Sequence, residues 1–518
     1  MWGVDLVLKD RRIYTVFALM IASFLTAVDV TIVDTAMPRI VGSLGGFSLL
    51  TWLVTAYMLT STATVPVYGK LADLFGRKKT FTIGAVIFVG GSALCGLAPT
   101  MPMLILFRAI QGLGAGAIQP VVQTILGDIF TPAERAKMQA WFSAVWGFSA
   151  LIGPLVGGLL TDYLSWRFLF YINLPLGALA LYMVWRYFDE QVSHKRVSVD
   201  YLGATTLTLG MSLLLLAVLS GGTEYPWTSW QVLAMLAGAI LFLITFVIAQ
   251  GKAADPIMPL ALFKEPAIGF AVLSSFMVGG VMYGTSVYLP IWAQGVQGFS
   301  ATRSGASLLW LSVGWPIAAV LGAKLIMRMG VRPSALLGLG LNAIGAVLLV
   351  VLGRTMEQIP EVLLGVVTFV IGAGMGFSSV AFVLGVQNAV DWARRGVATA
   401  SLQFMRTLGG LVWVSAMGSV MNLVLLDGLK QIPGVSATTT TQAGQIANKL
   451  LDPISRTELP AEQIATMAHA LANALREVHI VVMLAAIISL AAAWLMPNIR
   501  FQPAPAQGQP QPQATGGH

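Results

Sequence analysis

Fourteen apolar runs, each close to 20 residues long, punctuate this chain, and that one pattern leaves few folds open to it. A helix crossing the hydrocarbon of a bilayer needs about 20 such residues. In oil the backbone must satisfy its own hydrogen bonds, so continuous apolar runs of this length are read as spanning helices. They centre near Ala22, Val54, Ile87, Gly114, Phe148, Leu174, Thr208, Gly238, Met277, Val313, Asn342, Ala373, Leu411 and Ala486. Only 10% of residues are charged and 57% are hydrophobic, whereas a soluble domain carries about 25% charge. The expected fold class is an all-α membrane protein with the lipid bilayer as its permanent partner.

An even number of spans puts both termini on one side. About 20 of the 30 basic residues fall on that side, among them Arg11, Arg12, Arg77, Lys78, Lys79, Arg135, Arg394 and Arg395. The excess of Lys and Arg in short inner loops identifies it as cytoplasmic. The net charge of +8 is thereby accounted for with no nucleic-acid partner. No cleavable signal is visible, so the first span is expected to stay as an anchor. The single cysteine, Cys95, rules out an intrachain disulfide.

Ionisable residues at membrane depth are rare and functional by default, and the first span holds two. In FLTAVDVTIVDTAMP, Phe24 to Pro38, Asp29 and Asp34 stand in a run without another charge before Arg39. Five residues of helix turn through about 500° and rise about 7.5 Å, so the two acids differ in depth and direction. Arg108, in LILFRAIQGLGAGAIQP of the fourth span, lies at a depth that permits a pair with either acid. A buried guanidinium without a partner is costly, so pairing is expected. Gly112, Gly114 and Gly116 in the same segment suit close helix packing.

Two further stretches carry motifs. GKLADLFGRKK, Gly69 to Lys79, is a short charged turn: Gly69 and Gly76 allow close approach, Asp73 suits a helix amino terminus, and Arg77 to Lys79 anchor the turn. GFSALIGPLVGG, Gly147 to Gly158, places Gly153, Pro154, Gly157 and Gly158 in mid-span, where they loosen the hydrogen-bond ladder and permit rocking.

The first of these resembles the loop signature of the major facilitator superfamily, with Leu74 replacing a basic residue. The second resembles the signature of that superfamily's antiporters. AVDVTIVDTAMP, WLVTAY at Trp52 to Tyr57, WRFLFYINLPLG at Trp166 to Gly177 and YLPIWAQGVQGFSATRSG at Tyr288 to Gly305 are similar to the fourteen-helix drug:proton antiporter family, over about residues 16–496. That family usually has Asn at the position of Asp34. The resemblance implies a major facilitator fold: a cytoplasmic lead (1–12), a six-helix bundle (13–188), a connector with two extra central helices (189–252), a second six-helix bundle (253–500) with a long external loop (427–475), and a disordered tail (501–518). It also implies a bacterial cytoplasmic membrane and a monomer that exports lipophilic, often cationic compounds by alternating access, with the proton as coupling ion. An exporter of an endogenous lipid, siderophore or metabolite would use the same machinery.

The halves align in shape and not in charge. A shift of 260 carries Gly112, Gly114 and Gly116 onto Gly372, Gly374 and Gly376 but Arg108 onto Thr368; a shift of 252 sends Asp29 to Val281 and Asp34 to Ser286. Ion coupling is therefore assigned to the first half, to Asp29, Asp34 and Arg108; the alternative for the pair is a fixed structural lock. Arg406 is the charge retained in the later spans, with backbone carbonyls, lipid phosphate or substrate as its possible partners. It is grouped with the gating positions Gly69, Asp73, Gly76, Arg77 and the glycines of the fifth span. Tyr57, Gln111, Gln119, Trp146, Tyr283, Trp310 and Trp315 are nominated as cavity side chains, since aromatics and amides suit bulky cations. The segment after Leu459, PAEQIATMAHALANAL, reads as a short helix near the outer mouth or a solvated loop.

No catalytic constellation or nucleotide-binding glycine loop is present, and His194, His469, His479 and His518 lack metal-ligand spacing. An enzyme, a metal centre and a resident cofactor are accordingly not expected. A membrane receptor that transports nothing, or an integral-membrane enzyme, is the rival from another class.

Overall fold

Backbone groups that cannot reach water pair along their own helix, and the regular structure of the described residues in the computed structural model is helical apart from one isolated bridge between Gly221 and Tyr225. It describes residues 2–44, 50–190, 200–221, 225–253, 256, 258–299, 301–356, 358–391, 394–430 and 461–499. The side chains of Asp34, Pro154 and Gly158, most of the external loop expected at 427–475 and the tail at 501–518 lie outside the described residues.

The helices are α1 (Trp2–Leu44), α2 (Leu50–Phe75), α3 (Arg77–Leu97), α4 (Met101–Ile129), α5 (Pro132–Tyr163), α6 (Phe168–Tyr171), α7 (Asn173–Tyr187), α8 (Tyr201–Ser220), α9 (Trp230–Lys252), α10 (Pro266–Gly295), α11 (Ala301–Met329), α12 (Val331–Thr355), α13 (Glu361–Asn388), α14 (Arg395–Leu429) and α15 (Ala461–Trp494). The short α6 runs into α7 as one apolar stretch, Phe168–Tyr187. Among the described residues 12 stretches are long and apolar enough to cross a membrane. α2 and α5, of 26 and 32 residues, also have the length.

Helices α1–α7 form one bundle and α10–α15 the other, each with its own buried apolar clusters. Between the bundles, α2 packs on α14 and α5 on α11. The pair α8–α9 lies outside both, with α8 against α2 and α14. Leu207, Met211 and Leu215 of α8 join Ala63 and Val65 of α2 and Phe404, Leu408 and Leu411 of α14 in one cluster. Two hydrogen bonds fasten the pair to α14: Ser415 Oγ donates to the Val218 carbonyl (2.5 Å) and Trp227 Nε1 to Ser419 Oγ (2.8 Å). Of the apolar stretches, α9 is the least covered by the rest of the chain, as a lipid-facing element should be.

The lead expected at 1–12 is helical from Trp2 and continuous with the first span: α1 runs 43 residues, about 65 Å at 1.5 Å per residue, so it overruns a core about 30 Å thick. One expectation changes: the segment after Leu459 is no separate short helix. It forms the first turns of the 34-residue α15, where Met467, Leu471, Ala474 and Leu475 are buried in the second bundle. Apolar positions on a continuous face gain more by extending a spanning helix into the core than by capping a mouth.

The repeat seen in the sequence is a repeat of helix contacts. A Cβ on Gly114 would fall 2.2 Å from the Phe88 backbone nitrogen, and one on Gly374 would fall 2.6 Å from the Gly338 carbonyl oxygen. Gly112 and Gly116 meet the backbone of α2 as Gly372 and Gly376 meet that of α11. The glycine run is thus helix contact. Two tight turns repeat as well. Gly76 and Gly330 take φ of 96° and 92°, a region open to glycine at little cost. In the first bundle Glu190 accepts from the N–H groups of Arg77 (2.5 Å) and Lys78 (3.0 Å); in the second, Asn498 Oδ1 accepts from Arg332 (3.3 Å). An anion and a neutral amide serve the two equivalent helix starts.

Gly114→Ala is expected to destabilise the protein by about 1–3 kcal/mol, the range for overpacking. Gly90→Ala, with nothing within 4 Å of the added carbon, is expected to be neutral or to stabilise by up to about 1 kcal/mol. Thermal unfolding in detergent, followed by intrinsic fluorescence, checks both, and a drop in Tm for Gly90→Ala would contradict the packing assigned to α3.

Candidate functional site

A carboxylate and a guanidinium face each other inside the first bundle. Asp29 on α1 is 0% exposed and Arg108 on α4 is 1% exposed, with Arg108 NH1 2.5 Å from Asp29 Oδ2. Desolvating two ions is tolerable only when their remaining hydrogen-bonding capacity is used, and here it is. Gln111 Nε2 donates to Asp29 Oδ1 (2.8 Å) and to Ser92 Oγ (2.9 Å). Asn173 Nδ2 donates to the same two atoms at 3.1 and 2.8 Å. Gln111 Oε1 accepts from Arg108 NH1 (2.8 Å), and Arg108 Nε reaches the Leu53 carbonyl at 3.4 Å. The guanidinium also lies 4.2 Å from the centre of the Tyr57 ring, a cation–π contact that is worth most away from water. Helices α1, α2, α3, α4 and α7 all supply members, so the network reports their relative positions.

The turn at Gly69 to Lys79 forms a latch between bundles. Asp73 accepts from the backbone N–H groups of Gly396 (3.1 Å) and Val397 (2.9 Å) in the first turn of α14, where aligned peptide dipoles favour an anion. Arg77, 1% exposed, donates to Asp73 Oδ1 (3.0 Å), and its Nε lies 2.9 Å from Asp128 Oδ2. Arg135 donates to Gln387 (2.9 Å) and Arg395 to the Gly127 carbonyl (3.2 Å), again across the bundles. A Cβ on Gly69 would lie 2.4 Å from that of Ala400, so a side chain there would wedge the bundles apart. In this basic end α5 starts with a capping box in which Glu134 receives the Thr131 backbone N–H, and that bond holds the Glu134 carboxyl below the usual range.

Further along the axis, a cavity of about 120 Å³ lies between the bundles. Gln119, Trp146, Tyr283, Trp315 and Arg406 line it, joined by Gln123, Gln139, Met282, Met375, Phe382 and Gln403. Pockets for drug-sized ligands run to about 300–1,000 Å³, so this arrangement is contracted around the centre. Gln119 also reaches Thr26 Oγ1 at 3.4 Å, one helical turn from Asp29, which links the cavity wall to the buried network.

Three nominated cavity residues stand elsewhere. Tyr57 and Gln111 are buried in the Asp29–Arg108 network, and Trp310 is 53% exposed on the bundle's outer side, over Gly365. An aromatic in an apolar helix is as well placed facing lipid or a neighbour as a cavity, so residue type alone misassigns it. Arg406, grouped with the gating residues, lines the cavity instead. In α5, Gly153 meets Thr31 of α1, Gly147 meets Ser312 of α11, and Gly157 is buried. Three participants were missed, and Gln111 was assigned to the cavity instead of the pair. Gln111 falls three residues after Arg108, a spacing that puts both on one helix face, and could have been joined to it. Ser92 and Asn173 were findable only as polar residues inside apolar runs. Glu190, 113 residues from the N–H of Arg77 that it receives, left no local signal.

Removing one partner of such a pair strands the other charge. Arg108→Met alone is expected to cost about 3–5 kcal/mol, and the Asp29→Asn/Arg108→Met double variant clearly less. Unfolding midpoints of the four proteins in detergent form the cycle; strictly additive losses would contradict the pairing.

Comparison with known proteins agrees with this architecture. The chain is 39% identical over 414 residues to the multidrug transporter protein MdtP of Bacillus subtilis, covering 80% of this chain and 76% of that one. It is 33% identical over 493 residues to multidrug resistance protein 3 of the same organism, covering 94% and 96%. Among solved structures, a double-tryptophan mutant of XylE superposes with a TM-score of 0.62 at 14% identity, covering 94% of this chain and 96% of that one. A bacterial homologue of the iron transporter ferroportin superposes at 0.60 with 13% identity, covering 93% and 98%. The description of the Major Facilitator Superfamily matches residues 19–414, and with two bundles joined around a central cavity the chain belongs to that superfamily.

Proposed function

We propose that this protein is a proton-coupled exporter of lipophilic compounds, of the fourteen-helix drug:proton antiporter type, working by alternating access. In this reading α2 and α5 cross the bilayer with the 12 apolar stretches, and the end bearing Asp73, Arg77 and Arg135 faces the cytoplasm of a bacterial cell. The relatives named multidrug transporter and multidrug resistance protein support an efflux role.

The observation that carries the reading is the enclosed Asp29–Arg108 network beside the cavity. With Asp29 ionised, every donor around it is engaged and α1 is held to α4. A proton on Asp29 cancels the attraction and turns one accepting oxygen into a donor. Arg108 then retains Gln111, the Leu53 carbonyl and the Tyr57 ring, and α1 is freed to shift. The link through Thr26 and Gln119 passes that shift to the wall of the cavity. Loading a proton from outside and releasing it inside would thus bias opposite states of the two bundles, with the Asp73 latch holding one of them.

Asp29→Asn is expected to abolish accumulation against a gradient in proteoliposomes with an imposed pH difference, leaving only equilibration of a lipophilic dye. Uphill transport at the wild-type level by that variant would end the proposal. Asp73→Ala should loosen the latch. A cysteine introduced at Thr399, buried and lining the cavity, should then react severalfold faster with an impermeant maleimide applied from the Asp73 side; the native Cys95 is 0% exposed and contributes little background.

A further inference from the structure

The cavity wall carries one kind of charge. Among the described residues lining it, Arg406 is the charged one, and neither Asp nor Glu is present. No carboxylate of the described residues lies within ion-pair reach of it; the partner it has is Gln403, whose Oε1 accepts from Arg406 NH2 at 2.6 Å. Among the described residues, the carboxylate of Asp29 in the first bundle is fully enclosed and committed to Arg108. The cavity is therefore left with an uncompensated positive charge in a water-poor interior, where such a charge needs an anion or strong acceptors.

The other polar groups point the same way. The indole Nε1 of Trp315 is buried without an acceptor among the described residues. It is a group that can only donate. Glutamines at 119, 123, 139 and 403 adapt to whatever polar atoms accompany an acidic group, and Phe142, Trp146 and Phe382 supply flat apolar wall. Among the described lining residues, a quaternary ammonium would meet a like charge and no counter-charge. The aromatic content that suggested cations from the sequence serves a flat anion equally well, and the charge decides between them.

We propose that this cavity binds amphipathic organic anions, a carboxylate or sulfonate on a flat apolar body, with the acidic group on the Arg406 guanidinium and Trp315 as a second donor. The inference rests on the exporter reading for its transport role, while its binding claim stands on the cavity alone.

Three dansyl compounds of one fluorophore test it: N-dansylglycine, its methyl ester, and a dansyl derivative bearing a quaternary ammonium. Binding is measured by fluorescence titration of the purified full-length protein without a pH gradient. The carboxylate should bind most tightly and the ammonium least. Arg406→Gln should weaken the carboxylate about 10- to 100-fold, the loss expected for one charge-assisted hydrogen bond, and bring it level with the ester. Arg406→Lys should restore most of the difference, and unchanged affinity for the ester shows that the variants are folded. A tighter ammonium in the wild type, an Arg406→Gln variant that keeps the carboxylate, or no binding of any of the three would overturn the proposal. Proton-driven transport of the ammonium but not the carboxylate would remove this inference and leave the exporter reading standing. Tight carboxylate binding with no uphill transport of any compound would do the reverse.

Discussion

Oil will not hydrate a charge, and the first bundle is built around the place where that refusal is answered. Asp29 and Arg108 could not stay ionised at this depth singly; together they still need Gln111, Asn173, Ser92 and the Tyr57 ring to occupy their remaining faces. These groups come from five helices, and the Asp29 carboxylate bonds directly to α4 and α7. Packing alone would give a rigid bundle. On the proposed reading, a proton gained or lost at that junction would give the same bundle two arrangements.

The two halves share a backbone plan and divide the chemistry. Glycines at matching places bring equivalent helices into contact, and glycines at positive φ turn equivalent corners. Yet the anion that caps one corner is Glu190 and the group that caps its counterpart is the neutral Asn498. The ion pair has no counterpart either, since Val281 and Thr368 stand where the acid and the base would fall. The charge in the second half's wall, Arg406, faces the cavity rather than its own bundle. On the proposed reading, duplicated shape with unduplicated charge would let one half respond to protons while the other meets the solute.

Spans, bundles and turns were legible in the sequence because lipid enforces them: length, apolarity and basic loops each have a direct physical reading. The depth of Arg108 was legible too. Its partner was not, because counting residues fixes height along a helix but leaves rotation and neighbour open, and Asp29 and Asp34 both met the test of depth. The same blindness to rotation put Tyr57, Gln111 and Trp310 in a cavity they do not line. Asp73 could be matched to a helix amino terminus in principle, but that the terminus belongs to α14, more than 300 residues on, follows only from how the bundles dock.

The extra pair α8–α9 is fixed unequally to its neighbours. Toward α14 it is pinned by Ser415 and Trp227 through hydrogen bonds, while toward α2 it offers a greasy contact of Leu, Met, Ala and Val side chains. Directional bonds resist shear and apolar surfaces slide. In any see-saw motion of the halves the pair therefore rides as cargo of the second bundle, and the α2 face becomes a bearing whose lubricant is its own side chains.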